Sequence, residues 1–321
     1  MTLQKPTCSY IALGSPFILL SSAFGSIIRS EGAAKSAMLG NMIGTITNII
    51  LDPILIISMH MGIAGAAIAT VIGNIAATSY YLLYFANAKT ALSIRLRDFR
   101  MKNRIAYEIL SIGIPTALSS LLTSLATIMM NRLVAGYGDS AVAAMGVAIK
   151  VNTLMIFIVM GLCSGVQPIL AFNYGAGNHK RLMDVFRFTA IVSVMIGGAL
   201  TISLLAFREQ TIRLFINDDV VVEYSAKMFG ILQLSCPVIG LMFLGINTLQ
   251  AFGKAVQSLL LSVCRQGVIY IPLLFVFNHI WGLYGAIYAQ PVTDFITIVI
   301  VLAICVHTFA ELRSKSGFYL H

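Results

Sequence analysis

The chain alternates long apolar stretches with short polar ones from end to end. Nine apolar stretches run at roughly 11–28, 37–58, 62–86, 107–135, 141–172, 184–207, 222–252, 256–277 and 281–309. A helix needs about 20 mostly apolar residues to cross a bilayer, and several of these stretches are long enough to tilt or bend. Gly113-Ile114-Pro115, Gly161 and Gly165 fall inside the stretches, where small residues permit close helix packing and proline permits kinks. The pattern predicts an all-α polytopic membrane protein with about nine transmembrane helices.

A few polar residues interrupt these stretches at helical spacing. Asn41, Thr45, Asn48 and Asp52 fall within about 60° of one another on a helix turning about 100° per residue. The next stretch offers Thr70 and Asn74, again one turn apart, and the last has Asp294 with Gln290 a turn before it. Such residues inside a membrane usually face a bundle interior or an aqueous path, because lipid solvates them poorly. Asn41, Thr45, Asn48, Asp52, Thr70 and Asn74 are therefore where an ion is expected. Asn41, Thr45, Asn74, Asp294 and Gln290 are candidates for lining a cavity. The competing reading is that Asn48 and Asp52 only bridge helices, and that Asp52-Pro53 marks a bend. Arg265, near one end of its stretch, is expected to reach its head group toward water. Arg132 and Lys150 read as interfacial anchors.

Composition agrees with a lipid environment. Hydrophobic residues make up 58% of the 321 and charged ones 10%, with a mean hydropathy of +0.90. A soluble chain carries roughly a quarter charged residues. The net charge is +9, but the basic residues cluster in alternate loops. Arg29 and Lys35, then Lys89, Arg95, Arg97, Arg100, Lys102 and Arg104, then Lys180, Arg181 and Arg187, then Lys254, then Arg313 and Lys315 form one set. The positive-inside rule makes that set cytoplasmic, with the C-terminus inside and, after nine crossings, the N-terminus outside. The charge is thus topological, and no nucleic-acid partner is expected. The five cysteines show no CxxC or metal-ligand spacing and read as free thiols. No signal peptide is apparent at Met1 to Tyr10.

An internal repeat organises the chain. Gly62-Ile-Ala-Gly65-Ala66-Ala-Ile-Ala69 returns as Gly282-Leu-Tyr-Gly285-Ala286-Ile-Tyr-Ala289, with Pro53 and Pro272 upstream of the two copies. Stretches two and three thus match eight and nine, in the same orientation, as in parallel-repeat transporters. The expected division is three helices of a first lobe over 1–88, a basic cytoplasmic linker over 89–106, six helices of a second lobe over 107–311 and a cytoplasmic tail over 312–321. A full first lobe would need about 115 more residues, room for about three further spans, so the chain is expected to lack opening helices.

Several segments carry a more specific likeness: Arg29-Ser-Glu-Gly32, Asn48-Ile-Ile-Leu-Asp52-Pro53, Gly62-Ile-Ala-Gly-Ala-Ala67, Gly113-Ile-Pro115, and Gly161-Leu-Cys-Ser-Gly165-Val-Gln167-Pro168 leading to Phe172-Asn-Tyr-Gly-Ala-Gly177. Through these the chain resembles the multidrug and toxic compound extrusion (MATE) transporters of the prokaryotic type, over nearly all its length. The resemblance implies a twelve-helix, two-lobe (6+6) parent fold and a multi-pass location in the bacterial inner (plasma) membrane. It implies a monomeric secondary antiporter that exports amphipathic, often cationic drugs or toxic compounds in exchange for H⁺ or Na⁺, with no cofactor beyond that ion. One branch of the family places its cation site in the first lobe. Asn48, Asp52 and Thr70 match three of that site's residues, as Na⁺ ligands if the coupling is to sodium. The site's first-helix Asp has no counterpart here. Asn and Thr oxygens with one carboxylate are a hard-oxygen set that suits Na⁺, or a carboxylate that takes up a proton.

Other classes fit less well. Gly175-Ala-Gly177-Asn-His-Lys180 lacks the P-loop spacing a primary pump needs, and the five histidines show no metalloenzyme spacing. No enzyme is expected. A flippase for lipid-linked sugars, and a fragment that transports nothing, remain as alternatives. A cavity lined by arginines would favour the flippase.

Overall fold

The computed structural model describes residues 4–87 and 105–316. The basic cluster of the linker, from Lys89 to Arg104, lies outside the described residues. The chain divides into two compact units, Met1–Met101 and Lys102–His321.

The first unit contains three helices, α1 (Gln4–Ser30), α2 (Ala34–Pro53) and α3 (Gly62–Asn87), each packed on the other two. Helix α2 runs on through a π-helical turn, Ile54–Ser58. The approach of α2 to α3 is set by side chains that are missing. A Cβ on Gly44 would lie 2.9 Å from the Gly73 carbonyl oxygen, and one on Gly73 would lie 2.6 Å from the Gly44 carbonyl oxygen. A turn further, Gly40 leaves the space that the Tyr81 ring fills. Tyr81 is fully buried, and its hydroxyl lies 2.8 Å from the Ala37 carbonyl oxygen and 3.1 Å from Asn41 Oδ1. Small residues here do what they commonly do between membrane helices: they let backbones approach and leave polar tips to bridge.

The second unit comprises α4 (Ile105–Ala135), α5 (Asp139–Gly175), α6 (His179–Ala206), a short α7 (Arg208–Arg213), α8 (Asp219–Leu232), α9 (Cys236–Ala251), α10 (Ala255–Val263) and α11 (Ile271–Ser316). A π-helical segment, Cys264–Tyr270, joins the last two. The Asn173-to-Asn178 motif turns α5 into α6. Gly177 adopts φ 67°, the Asn178 N–H donates to the Asn173 carbonyl, and the Asn178 side chain caps α6 by accepting from the Arg181 N–H.

Helices α8 and α9 together make one apolar span, bent by 48° at Gln233–Ser235. The run Val256–Leu312 is 57 residues long. At 1.5 Å per residue it would extend about 85 Å, far beyond a hydrocarbon core of about 30 Å. It breaks at Gly282, whose φ of 62° and ψ of −142° are non-helical, at the same boundary where the sequence pattern divides stretches eight and nine. With that break counted, the described residues carry seven long apolar helices, an eighth span in the bent pair, and a ninth from the division of the 57-residue run. Helix α11 continues to Ser316, so the first residues of the expected tail are helical; residues 317–321 lie outside the described ones.

Large apolar side chains cover the outside, among them Ile57, Phe172, Ile202 and Val299, as lipid contact requires. Buried hydroxyls turn back onto their own helices: Thr248 donates to the Leu244 carbonyl, Thr293 to Ala289 and Thr297 to Thr293, at 2.7–2.8 Å. Each satisfies itself without water. Cys163, Cys236 and Cys305 are buried free thiols.

Gly282→Ala is expected to lower the unfolding temperature in detergent, by the equivalent of about 1–3 kcal/mol for a side chain held in that glycine-only region. Gly198→Ala is the control. Gly198 is helical and open on its side-chain side, so its replacement should leave the temperature unchanged or slightly raised.

Candidate functional site

The close contact of Gly44 and Gly73 sets the polar residues of α2 and α3 opposite one another, around a cavity of about 190 Å³ in the first unit. Ser21, Asn41, Thr45, Asn48, Thr70 and Asn74 line it, with Gly44, Gly73 and Ala77. Asn48 Nδ2 donates to Thr70 Oγ1 at 3.5 Å, and Thr70 donates to the Ala66 carbonyl at 2.9 Å. Asn74 donates to the Thr70 carbonyl and accepts from Ser21 Oγ at 2.7 Å. Ser21, from α1, lies on the same cavity, and the sequence gives no sign of it, because this serine in an apolar run shows no helical spacing to other polar residues.

Asp52 is placed differently. It follows Asn48 by one turn but does not line the cavity. Its Oδ1 is buried, and no donor among the described residues reaches it. A buried carboxylate oxygen without a partner is uncommon and calls for an explanation in function or in a bound ion. A cation fits the chemistry: one unsatisfied anionic oxygen stands a turn from an amide and a hydroxyl that already touch. Among the described residues no group of three or more His, Cys, Asp or Glu side chains is arranged to hold a metal. Any cation here relies on neutral oxygens for most of its coordination.

The second unit has its own polar cavity, about 330 Å³, whose lining includes Thr127, Asn131, Asn152, Arg265, Gln290 and Asp294. The Asp294 side chain is 2% exposed and fully engaged. Its Oδ1 accepts from Arg265 Nη2 at 2.7 Å, Arg265 Nε at 3.0 Å and Gln290 Nε2 at 3.2 Å. Its Oδ2 accepts from Ser235 Oγ at 2.9 Å. The bend between α8 and α9 puts Ser235 there. Arg265 departs from the sequence expectation: its side chain is 16% exposed and turned into the unit, onto a carboxylate 29 residues away. The reason is electrostatic. A charge-assisted bond to a desolvated carboxylate outweighs what a head group gains at the interface, and removing either partner would strand the other. Arg132 and Lys150 are exposed and do not line this cavity. A larger groove, about 560 Å³, lies between α10 and the end of α11. Its walls are mainly apolar, and its charged residues Lys254, His307 and Glu311 lie against one another.

Polar cavities between long apolar helices, in two units of related sequence, define a polytopic membrane protein of the transporter kind. The MatE family model matches residues 115–276, just over half of the chain, and the chain belongs to that family. It is 30% identical over 282 residues to the multidrug export protein MepA of Staphylococcus saprophyticus, which spans 88% of this chain and 62% of the relative. The MepA protein of Staphylococcus aureus strain N315 is 31% identical over the same shares. The chain thus spans less than two thirds of the length of these curated relatives.

Solved structures agree on the fold. One is a multidrug resistance MATE family transporter of the MOP superfamily in an outward-facing conformation. It superposes with a TM-score of 0.88 at 23% identity, covering 96% of this chain and 70% of that one. A MOP superfamily transporter from Pyrococcus furiosus, described as having a binding pocket of reversed polarity, gives 0.87 at 23% with the same coverage.

Two packing tests follow from the sites. Gly73→Ala should push α2 from α3 and cost about 1–3 kcal/mol, as overpacking does, read as a lower unfolding temperature in detergent. In the second unit, Arg265→Met or Asp294→Leu alone should each cost about 3–5 kcal/mol, whereas the double variant should recover most of that loss. Additive losses in this cycle would show that the two side chains do not act as a pair.

Proposed function

We propose that this chain serves ion-driven export of amphipathic, often cationic compounds across the bacterial plasma membrane, as the resemblance implies, with Asp52 as the carboxylate that binds and releases the driving H⁺ or Na⁺. The observation that carries the reading is the unsatisfied Asp52 Oδ1, one turn from the Asn48–Thr70 contact at 3.5 Å. Asn48 and Thr70 supply neutral oxygens, and Asn41, Thr45 and Asn74 keep the neighbouring cavity polar. The names of the staphylococcal relatives support a multidrug substrate range. An ion can drive the cycle only through different affinities in the outward- and inward-open states. A buried carboxylate oxygen that no donor among the described residues satisfies is suited to such a difference.

Residues 107–311 are read as one six-helix lobe and 1–88 as three helices of the other. The basic loops support a cytoplasmic C-terminus. The flippase reading is weaker: Arg265 is the one arginine lining the second unit's cavity among the described residues, and Asp294 neutralises it. No chemical step on the substrate is involved, so the protein is read as a transporter without enzymatic activity.

The test is dye export from proteoliposomes under an imposed H⁺ or Na⁺ gradient. Asp52→Asn keeps the shape and removes the charge. It should abolish gradient-driven export while the protein remains folded and inserted, and Thr70→Val should weaken Na⁺ dependence if sodium is the ion. Asp294→Asn should do less than Asp52→Asn. Export by Asp52→Asn at the parent rate would overturn the assignment, and no export by the parent chain under either gradient would overturn the transport reading itself.

A further inference from the structure

The two units share a local plan. The copies of the repeat open on Gly62 and Gly282, both at positive φ, 55° and 62°. Counting forward from these glycines sets Thr70 opposite Gln290 and Asn74 opposite Asp294. In both units a serine from a neighbouring span bonds the second residue of the pair. Ser21 donates to Asn74 at 2.7 Å in the first unit, and Ser235 donates to Asp294 at 2.9 Å in the second. Each group borders a cavity within its own unit. What differs is charge. The matched Thr70 and Asn74 are neutral, whereas Asp294 brings an anion, which Arg265 pairs.

A carboxylate flanked by a hydroxyl and an amide is a donor set for a monovalent cation. In the second unit the carboxylate already holds one, while Gln290 Nε2 and Ser235 Oγ donate to that same carboxylate. The guanidinium of Arg265 is a delocalised monovalent cation, bonded to Asp294 through two nitrogens at 2.7 and 3.0 Å, and it is tethered by its own side chain. We infer that Asp294, held in place by Gln290 and Ser235, forms a cation site whose occupant is Arg265, so that the second unit carries a built-in ion where other chemistry would require a free one. Replacing the arginine then exposes a site for a small monovalent cation, Na⁺ or free guanidinium. The tether also makes the second unit indifferent to the ions around it. Together with the proposed role of Asp52, this confines the response to the driving ion to the first unit.

The experiment is a stability titration of purified Arg265→Ala in detergent. Guanidinium or Na⁺ is added at low concentration against choline at matched ionic strength. A ligand that binds only the folded protein raises its stability in a saturable way. The unfolding temperature of Arg265→Ala should rise and saturate with guanidinium, with Na⁺, or with both. In an Asp52→Asn background, which silences the proposed coupling site, the otherwise unchanged protein and the Arg265→Ala/Asp294→Asn double variant should respond to neither beyond choline. A rise with guanidinium alone supports a site selective for planar cations, and a rise with both supports a general monovalent site. No rise beyond choline with either ion, or an equal rise in the double variant, overturns the inference, because a pair that merely ties helices together gains nothing specific from a free ion. Should Arg265→Ala yield no folded protein, Arg265→Met, which keeps more of the side-chain volume, is judged by the same titration. The readout is binding rather than transport. A rise that persists in an Asp52→Asn background separates this site from the proposed coupling site, so either reading can fail without the other.

Discussion

Lipid offers no hydrogen bonds, so every polar group inside the bilayer must find its partner within the protein. Backbone groups meet that demand by forming helices, and hydroxyls such as Thr248, Thr293 and Thr297 meet it by bonding back to their own helix. Side chains that cannot do so are gathered inward. In the first unit they collect where Gly44 and Gly73 let α2 and α3 touch. In the second they collect where a bend at Ser235 and a π-helical segment at Arg265 turn polar atoms toward Asp294.

The two units solve the same problem with different chemistry. Ser21, Asn48, Thr70 and Asn74 form a neutral chain of hydrogen bonds, and its energetics are those of ordinary hydrogen bonds, about 1 kcal/mol each net. The Asp294 cluster needs its counter-charge present, because an uncompensated charge in that setting is far more costly than a lost hydrogen bond. Asp52 belongs to neither solution. It stands a turn beyond the first cavity with one oxygen unsatisfied, which is why the functional reading settles on it rather than on the better-bonded carboxylate.

Departures from ideal helix geometry occur close to the sites. The π-helical turn Ile54–Ser58 follows Asp52 directly, and the segment Cys264–Tyr270 carries Arg265. π-helical insertions are frequent at functional positions, because they re-aim side chains and weaken the ladder locally. The positive-φ glycines 62 and 282 open the two matched helices, and the register of Thr70, Asn74, Gln290 and Asp294 is counted from them.

The long apolar helices could be read along the chain, because apolar length and 3.6-residue periodicity act locally and lipid enforces them uniformly. The cavity-lining face of Asn41, Thr45 and Asn48 belongs to the same kind of inference, since those residues share one helix. The contact of Asn48 with Thr70, the bridge from Ser21 and the wedge of Tyr81 depend on how closely α2, α3 and α1 approach, which no single helix encodes. Arg265 marks the limit most plainly. A long basic side chain near a span end can reach water or turn inward. Only the tertiary structure, by bringing a buried carboxylate from 29 residues away to within 2.7 Å, decided which, because the balance between solvation and pairing is set by the partner and not by the arginine.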